Sequence, residues 1–334
     1  MFIRHDLPYR AIAFHGERAP WIGGDLQTMR NHLLRLTPPI EDGTPMRIEL
    51  SDGDALLGIF HETTHPKSKG IIIIVHGLAG DCDSSYVRHL ARDALHSGYD
   101  ALRLNLRGAG AGSALAKSNY HAGRADDLAA TCHHLAETFP EKDLYLCAYS
   151  LGGTMAVNLV SRYHPPAALK AVASFCAPID MTDSARRFHE PRNHLYNRHF
   201  TNSLISLAIA RLQDDAATIP AGLTEARLRA IKSVREFDDI FTSKIAGYQD
   251  ADDYYRGTTP LSDLDKITIP TLLVHSDNDP LIPASAYHKL ESHKALFCVI
   301  TKGGGHVGFH GRKQPFDCWQ SQMALQFFNT QRQR

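Results

Sequence analysis

The chain has 334 residues, 43% hydrophobic and 22% charged, enough to bury a sizeable core as one large domain or a domain with an insertion. Lysine plus arginine equals aspartate plus glutamate at 36 each, and no basic block stands out, which argues against nucleic acid or an anionic membrane as partner. The longest aliphatic run, residues 71 to 75, is far too short to span a bilayer, and the N-terminal MFIRHDLPYRAIAF lacks the apolar stretch of a secretory signal, so a soluble cytoplasmic protein is expected.

The six cysteines, at 82, 132, 147, 176, 298 and 318, are dispersed without a C-x-x-C, and several lie in apolar runs. They read as buried thiols of a reducing compartment. The elements follow in chain order. RIELSDGDALLGIF (47–60) predicts a hairpin around Asp52-Gly53, and IIIIVHG (71–77) a strand apolar on both faces. Residues 85–98 predict a helix ending at Gly98, and 99–108 a strand. Residues 125–138 predict a helix stopped by Pro140, 143–150 a strand, 151–163 a helix stopped by Pro165-Pro166, and 169–178 a strand. The alternation then breaks. Residues 179–266 read as mainly helical, as in NSLISLAIARLQ (202–213) and TEARLRAIKSVREF (224–237). It resumes with TIPTLLVHSDNDP, LFCVITKGGGH and a last helix from about residue 314.

Strands alternating with helices imply an α/β fold with a mostly parallel sheet covered on both faces. The expected organisation is an N-terminal extension (1–45) packed on a core (46–178 and 267–334), with a helical cap (179–266) inserted into it. Within the cap, Leu204, Ile205, Leu207, Ile209 and Leu212 would form an apolar face toward a site below, or would pack the cap onto the core.

The most informative junction is LYLCAYSLGGTMAVNLV, residues 144–160. A strand enters a helix through a very tight turn with Ser150 at its tip, the setting of a nucleophile elbow. Gly152 and Gly153 follow, and Ala148 stands where glycine is usual in G-x-S-x-G. Small residues are needed there because strand and helix backbones nearly touch. The helix N-terminus beside the serine favours negative charge. A plain capping serine would fit the same junction.

Serine at its free pKa needs a base, and in this arrangement an acid and a histidine follow the serine in that order. LLVHSDNDPLIP carries Asp277 and Asp279 after one strand, and LFCVITKGGGHVGF carries His306 after the next. Both loops belong at the carboxyl edge of the sheet, where ligands bind. Asp279 is preferred because DPLIP fits D-x-x-[VI]-P, and Asp277 is the fallback. An oxyanion hole needs two backbone donors. The N–H groups of Leu151 and of Leu78, in VHGLAG after the 71–75 strand, are the expected pair.

HETTH (61–65) matches the zinc motif H-E-x-x-H, which requires a helix. Two adjacent threonines, Pro66 directly after, and a strand starting near Ile71 leave no room for one. His189, His194 and His199 are spaced by five, which does not align them on a helix. No metal and no cofactor are expected.

With these segments in hand, the chain resembles the YheT-like branch of the α/β-hydrolase superfamily, which includes ABHD-type lipases. GGDLQTM (23–29), with Asp25 where histidine is usual, resembles its H-L-Q-T segment. NLRGAG (105–110), YHAG (120–123), VREFDD (234–239) and GYQDADDYYR (247–256) resemble further segments of that branch. The resemblance covers about residues 20–325. It implies an α/β-hydrolase fold, a triad of Ser150, Asp279 and His306, and a serine hydrolase acting on carboxylic esters, either short-chain esters or acylglycerols. The partner implied is a small-molecule ester or lipid. An amidase or thioesterase would use the same triad, and a non-catalytic binding module on this scaffold is the reading from another class. YHAG and FDD are expected to fix loops and the cap rather than to react.

Overall fold

The computed structural model describes residues 2–5, 7, 11–34, 36–214, 216–291, 293–312 and 318–332. Its strands are β1 (Phe2–His5), β2 (Thr44–Glu49), β3 (Ala55–His61), β4 (Ile71–Val75), β5 (Asp100–Asn105), β6 (Leu144–Tyr149), β7 (Leu169–Phe175), β8 (Thr271–Ser276) and β9 (Leu296–Thr301). Among the described residues they form one nine-stranded sheet in the order β1-β9-β8-β7-β6-β4-β5-β3-β2. Every pairing from β5 through β4, β6, β7 and β8 to β9 is parallel, whereas β1, β2 and β3 run antiparallel to their neighbours. The hairpin expected around Asp52-Gly53 is β2–β3. The N-terminal segment does more than pack on the core. Its β1 pairs with β9, satisfying backbone groups that an edge strand would leave bare.

The helices are α1 (Gly24–Leu33), α2 (Ser85–His96), α3 (Ala125–Thr138), α4 (Leu151–Arg162), α5 (Met181–Phe188), α6 (His194–Leu212), α7 (Glu225–Ala230), α8 (Val234–Phe237), α9 (Ser243–Ile245), α10 (Ala251–Thr258), α11 (Ser285–His288) and α12 (Trp319–Arg332). The last helix, expected from about 314, is described only from Trp319; residues 313–317 lie outside the described residues.

β4 explains the layering. All five of its side chains are buried. Ile71, Ile73 and Val75 join the core that contains Leu128 and Cys132 of α3 and Met155 and Leu159 of α4. Ile72 and Ile74 point the other way, into the core built with Val87 and Leu90 of α2 and Phe327 and Phe328 of α12. One strand thus feeds two cores, because side chains alternate across a sheet.

Between β7 and β8 the chain is helical and has a small core of its own, including Leu204, Ile205, Leu228, Phe237 and Phe241. The 224–237 stretch is not one helix. It breaks at Ile231, and Ser233 starts α8 by accepting from the Glu236 N–H while the Glu236 carboxylate accepts from the Lys232 N–H. This is a variant of the capping box, and the S-x-x-E spacing was its sequence signal. After α8, residues Asp238–Thr242 form a π-helical turn. Buried Arg211 of α6 ties this insertion to the loop below it, donating to the carbonyls of Ala116 (2.6 Å) and Ser118 (2.7 Å).

Replacing Ile73 by Ala should cost about 2–5 kcal/mol, because a fully buried side chain leaves a cavity. Leu195, 78% exposed on α6, should tolerate alanine within about 0.5 kcal/mol. Denaturant midpoints of the two variants check the contrast.

Candidate active site

At the end of β6, Ser150 adopts φ 52° and ψ −124°, a positive-φ conformation open to glycine but strained for a residue with a Cβ. The turn is held because its N–H donates to the Phe175 carbonyl at 2.8 Å. The following glycines are explained by contact. A Cβ on Gly152 would lie 2.2 Å from the His76 carbonyl oxygen, and one on Gly153 would lie 2.6 Å from Ser174 Oγ. Ala148, where glycine is usual, sits in β6 fully buried without disturbing the turn.

The structure brings Ser150, His306 and Asp279 together. His306 Nε2 lies 2.8 Å from Ser150 Oγ, and His306 Nδ1 lies 2.9 Å from Asp279 Oδ2. With Nδ1–H donating to the carboxylate, Nε2 presents its lone pair to the serine. The other Asp279 oxygen accepts from the N–H groups of Leu281 (2.8 Å) and Ile282 (3.0 Å). Burial pushes the Asp279 carboxyl upward, but the charge and hydrogen bond of His306, with His275 and the Ile282 N–H, bring it below the ordinary carboxylate value. Asp277 is elsewhere: it bonds His288 Nε2 at 2.7 Å on the exposed side.

The loop after β4 is held at both sides of Leu78. The Gly77 N–H donates to the Tyr86 hydroxyl at 3.0 Å and the Ala79 N–H to the Tyr120 hydroxyl at 2.7 Å. Among the described residues no hydrogen bond engages the Leu78 N–H, and Leu151, first residue of α4, has an N–H with no partner inside its helix. His76 is fully buried and accepts the Leu106 N–H on Nε2 at 3.1 Å, so its proton sits on Nδ1, facing the Gly77 carbonyl. Burial lowers its pKa to about 4 and keeps it neutral.

Sequence reasoning did not find the residues that hold the His306 loop. The His306 N–H donates to Thr28 Oγ1 at 2.8 Å. Buried Gln27 accepts the His310 N–H at 2.7 Å and donates to the Trp21 carbonyl at 2.6 Å. A Cβ on Gly305 or Gly308 would collide with the backbone of Gly24 or Gln27, so GGGHVG is glycine-rich because α1 lies against it. The resemblance of GGDLQTM was the available signal. YHAG is likewise a junction. Beyond Tyr120, Ala122 N–H donates to the Tyr254 hydroxyl, and Ala122 O accepts from Asn158. Arg107 of NLRG, 2% exposed, pairs with Asp127, Asp54 and Asp52 and ties the β2–β3 turn to α3.

Two cavities meet at Ser150 and His306. One, under the insertion, is lined mostly by apolar side chains, among them Met181, Phe188, Leu204, Leu207, Phe237 and Phe241. The other opens between α1 and α6 and is lined by Thr28, Asn31, His32, Ser84, Ser203 and His310. The apolar stripe expected on α6 is therefore divided. Leu207 faces the first cavity, Leu204 both lines that cavity and belongs to the insertion's own core, and Ile205, Ile209 and Leu212 pack into that core. A helix turning 100° per residue cannot point all five the same way.

HETTH has no helix. His61 ends β3 and accepts from Arg103 Nε at 3.0 Å, and His65 lies in an exposed loop with its Nε2 3.1 Å from the His96 carbonyl. Among the described residues one trio of possible ligand atoms lies within 4.8 Å, Cys176, His275 and Asp279. Both Asp279 oxygens are already engaged, and burial holds the Cys176 thiol well above its ordinary value, so this trio packs around the acid loop.

The family model described as alpha/beta hydrolase fold matches residues 70–312. The chain belongs to the α/β-hydrolase fold family. It is 30% identical over 290 residues to the Escherichia coli protein YheT, covering 86% of this chain and 84% of that one, which places it in the YheT- and ABHD-like branch. It is 27% identical to the phospholipase ABHD3 of Bos taurus over 84% of this chain, spanning about two thirds (66%) of that protein. The solved esterase Pf2001 of Pyrococcus furiosus shares the fold, with TM-score 0.59, 15% identity, and coverage of 88% of this chain and 95% of that one. No helix among the described residues is long and apolar enough to cross a membrane.

Asp238, at the start of the π turn, is half-buried and lines the first cavity. Burial raises its pKa from 3.8 to about 6, against the hydroxyls of Thr242 and Tyr255, which lower it. A raised folded-state value favours the protonated fold, so the stability this group provides is full below about 3.8 and lost as pH rises through about 6. The thermal midpoint of Asp238→Asn, relative to wild type, should therefore climb between pH 4 and pH 7 and then level off. A pH-independent difference would contradict the assignment.

Proposed function

We propose that this protein hydrolyses carboxylic esters, short-chain esters or acylglycerols, through an acyl-enzyme on Ser150. The protein is a hydrolase of the esterase and lipase type. The observation that carries the specific mechanism is the unbroken chain of contacts Ser150 Oγ–His306–Asp279 at 2.8 and 2.9 Å. In this reading His306 Nε2 takes the Ser150 proton as Oγ attacks the ester carbonyl. The Leu78 and Leu151 N–H groups receive the oxyanion. Asp279 keeps the imidazole in the required tautomer and stabilises the imidazolium without taking its proton. His306 then gives its proton to the departing alcohol oxygen as the carbon–oxygen bond breaks. Water, deprotonated by the same nitrogen, releases the acid and regenerates Ser150.

The two cavities fit this division of labour. The apolar one suits the acyl portion, with residues 179–266 acting as a cap over it. The second, which mixes apolar side chains such as Leu36 and Phe200 with hydroxyl and imidazole groups, suits the leaving alcohol and the incoming water, and glycerol-like alcohols would find several partners there. The substrate names of the relatives, phospholipase for ABHD3 and monoacylglycerol lipase for a yeast protein 24% identical over 72% of this chain, agree with an acyl ester.

Hydrolysis of p-nitrophenyl esters from acetate to palmitate should vanish in Ser150→Ala and ignore chelators. Asp279→Asn should lose about 10⁴-fold in kcat, while Asp277→Asn stays near wild type. Ester turnover surviving in Ser150→Ala would overturn the mechanism. Thr28→Val should lower kcat more than it raises KM, because it loosens the His306 loop rather than the substrate; an unchanged kcat would remove Thr28 from that role.

A further inference from the structure

The cavity under the insertion is not apolar throughout. Asp238 and Thr242 from the π turn and Tyr255 of α10 gather on its lining, beside Phe237 and Phe241. The neighbouring acids all serve local structure. Asp239 accepts the Ala251 N–H, Asp250 caps α10 through the Asp253 N–H, and Asp252 binds Arg235 through two contacts of 2.6 and 2.7 Å. Asp238 differs. The Tyr255 hydroxyl donates to its Oδ2 at 2.7 Å, but among the described residues no cationic side chain pairs with it. Arg235, the nearest guanidinium on the cavity lining, is spent on Asp252. His121, also on the lining, has its pKa lowered by burial to about 3 and stays neutral, and burial lowers His189 as well.

A carboxylate has about four lone-pair positions, and the single hydroxyl of Tyr255 leaves capacity unused. Keeping such a group in an apolar chamber is costly unless something completes it. We propose that Asp238, steadied by the Tyr255 hydroxyl, is a specificity determinant that accepts a hydrogen bond from a donor group, hydroxyl or ammonium, on the part of the ester seated under the insertion. The substrate class is then an ester whose acyl portion is polar at its far end rather than a plain alkanoate. This deepens the ester-hydrolase reading and rests on it.

The test is kcat/KM for p-nitrophenyl esters of straight alkanoic acids with four to ten carbons, each beside its ω-hydroxy and ω-ammonio counterpart. Wild type should favour an ω-hydroxy or ω-ammonio ester over the plain one by about tenfold at one or more chain lengths, the scale of a hydrogen bond to a charged acceptor. Asp238→Leu should invert that ratio. Asp238→Asn, which still accepts a hydrogen bond but carries no charge, should keep a hydroxyl preference and lose an ammonium one. Circular dichroism confirms folding, and if the leucine variant does not fold, the asparagine variant and Tyr255→Phe, which should weaken the preference, carry the test. Preference for plain esters at every length in wild type, or ratios unmoved by these substitutions, overturns the proposal. Hydrolysis that persists in Ser150→Ala would instead overturn the underlying reading.

Discussion

At the end of β6 two backbones come as close as glycine allows, and the site is built around that approach. Gly152 lies against the His76 carbonyl, and Gly77 lies close enough to Ser150 that a Cβ there would meet the Ser150 Cβ at 2.9 Å. The β4–β6 pairing, in which Val75 faces Ala148, sets the distance. Because β4 is locked by burial on both faces, it presents the Gly77–Leu78 loop beside the serine without freedom to drift. The strained serine backbone is sustained by this surrounding packing, which is how unusual conformations persist at reactive positions.

Around that contact several polar groups are held by specific partners. His76 is neutral and spends both nitrogens on backbone. Asp279 spends one oxygen on backbone and one on His306. Two tyrosine hydroxyls occupy the N–H groups on either side of Leu78. Among the described residues, the groups left open toward substrate space are the Leu78 N–H, the Leu151 N–H at the start of α4 and, across the cavity, the spare capacity of Asp238. Segments outside the strand–helix alternation complete the enclosure. α1 clamps the His306 loop, and Asp25 of α1 reaches the insertion through Arg192 (2.9 Å) and Tyr196 (3.1 Å). Asp25 stands where histidine is usual in this branch, and its link to Arg192 gives the substitution a structural use here.

Legibility in the sequence followed the range of the physics. β4 and the β6–α4 turn were readable because burial on both faces and a tight turn each leave a dense local pattern. Ser150, Asp279 and His306 were readable because each follows its own strand, and the geometry joins the same three. The N-terminal strand β1 was not, since its pairing with β9 joins residues about 300 apart in sequence and an edge strand needs no strong alternation. The split of residues 224–237 was signalled by Ser233 and Glu236, but a run of good helix formers concealed it. The roles of Gln27, Thr28 and Tyr120 depend on contacts between distant loops, for which the sequence offers only a family likeness.

The most direct test of Ser150 as the nucleophile is covalent capture. The wild-type protein should be treated with a fluorophosphonate and mapped by mass spectrometry of its peptides. A single adduct on Ser150 is expected, formed at least a hundredfold more slowly when His306 is replaced by Ala, in keeping with the loss of its general base. No adduct, or an adduct at another residue with Ser150 unmodified, would contradict it.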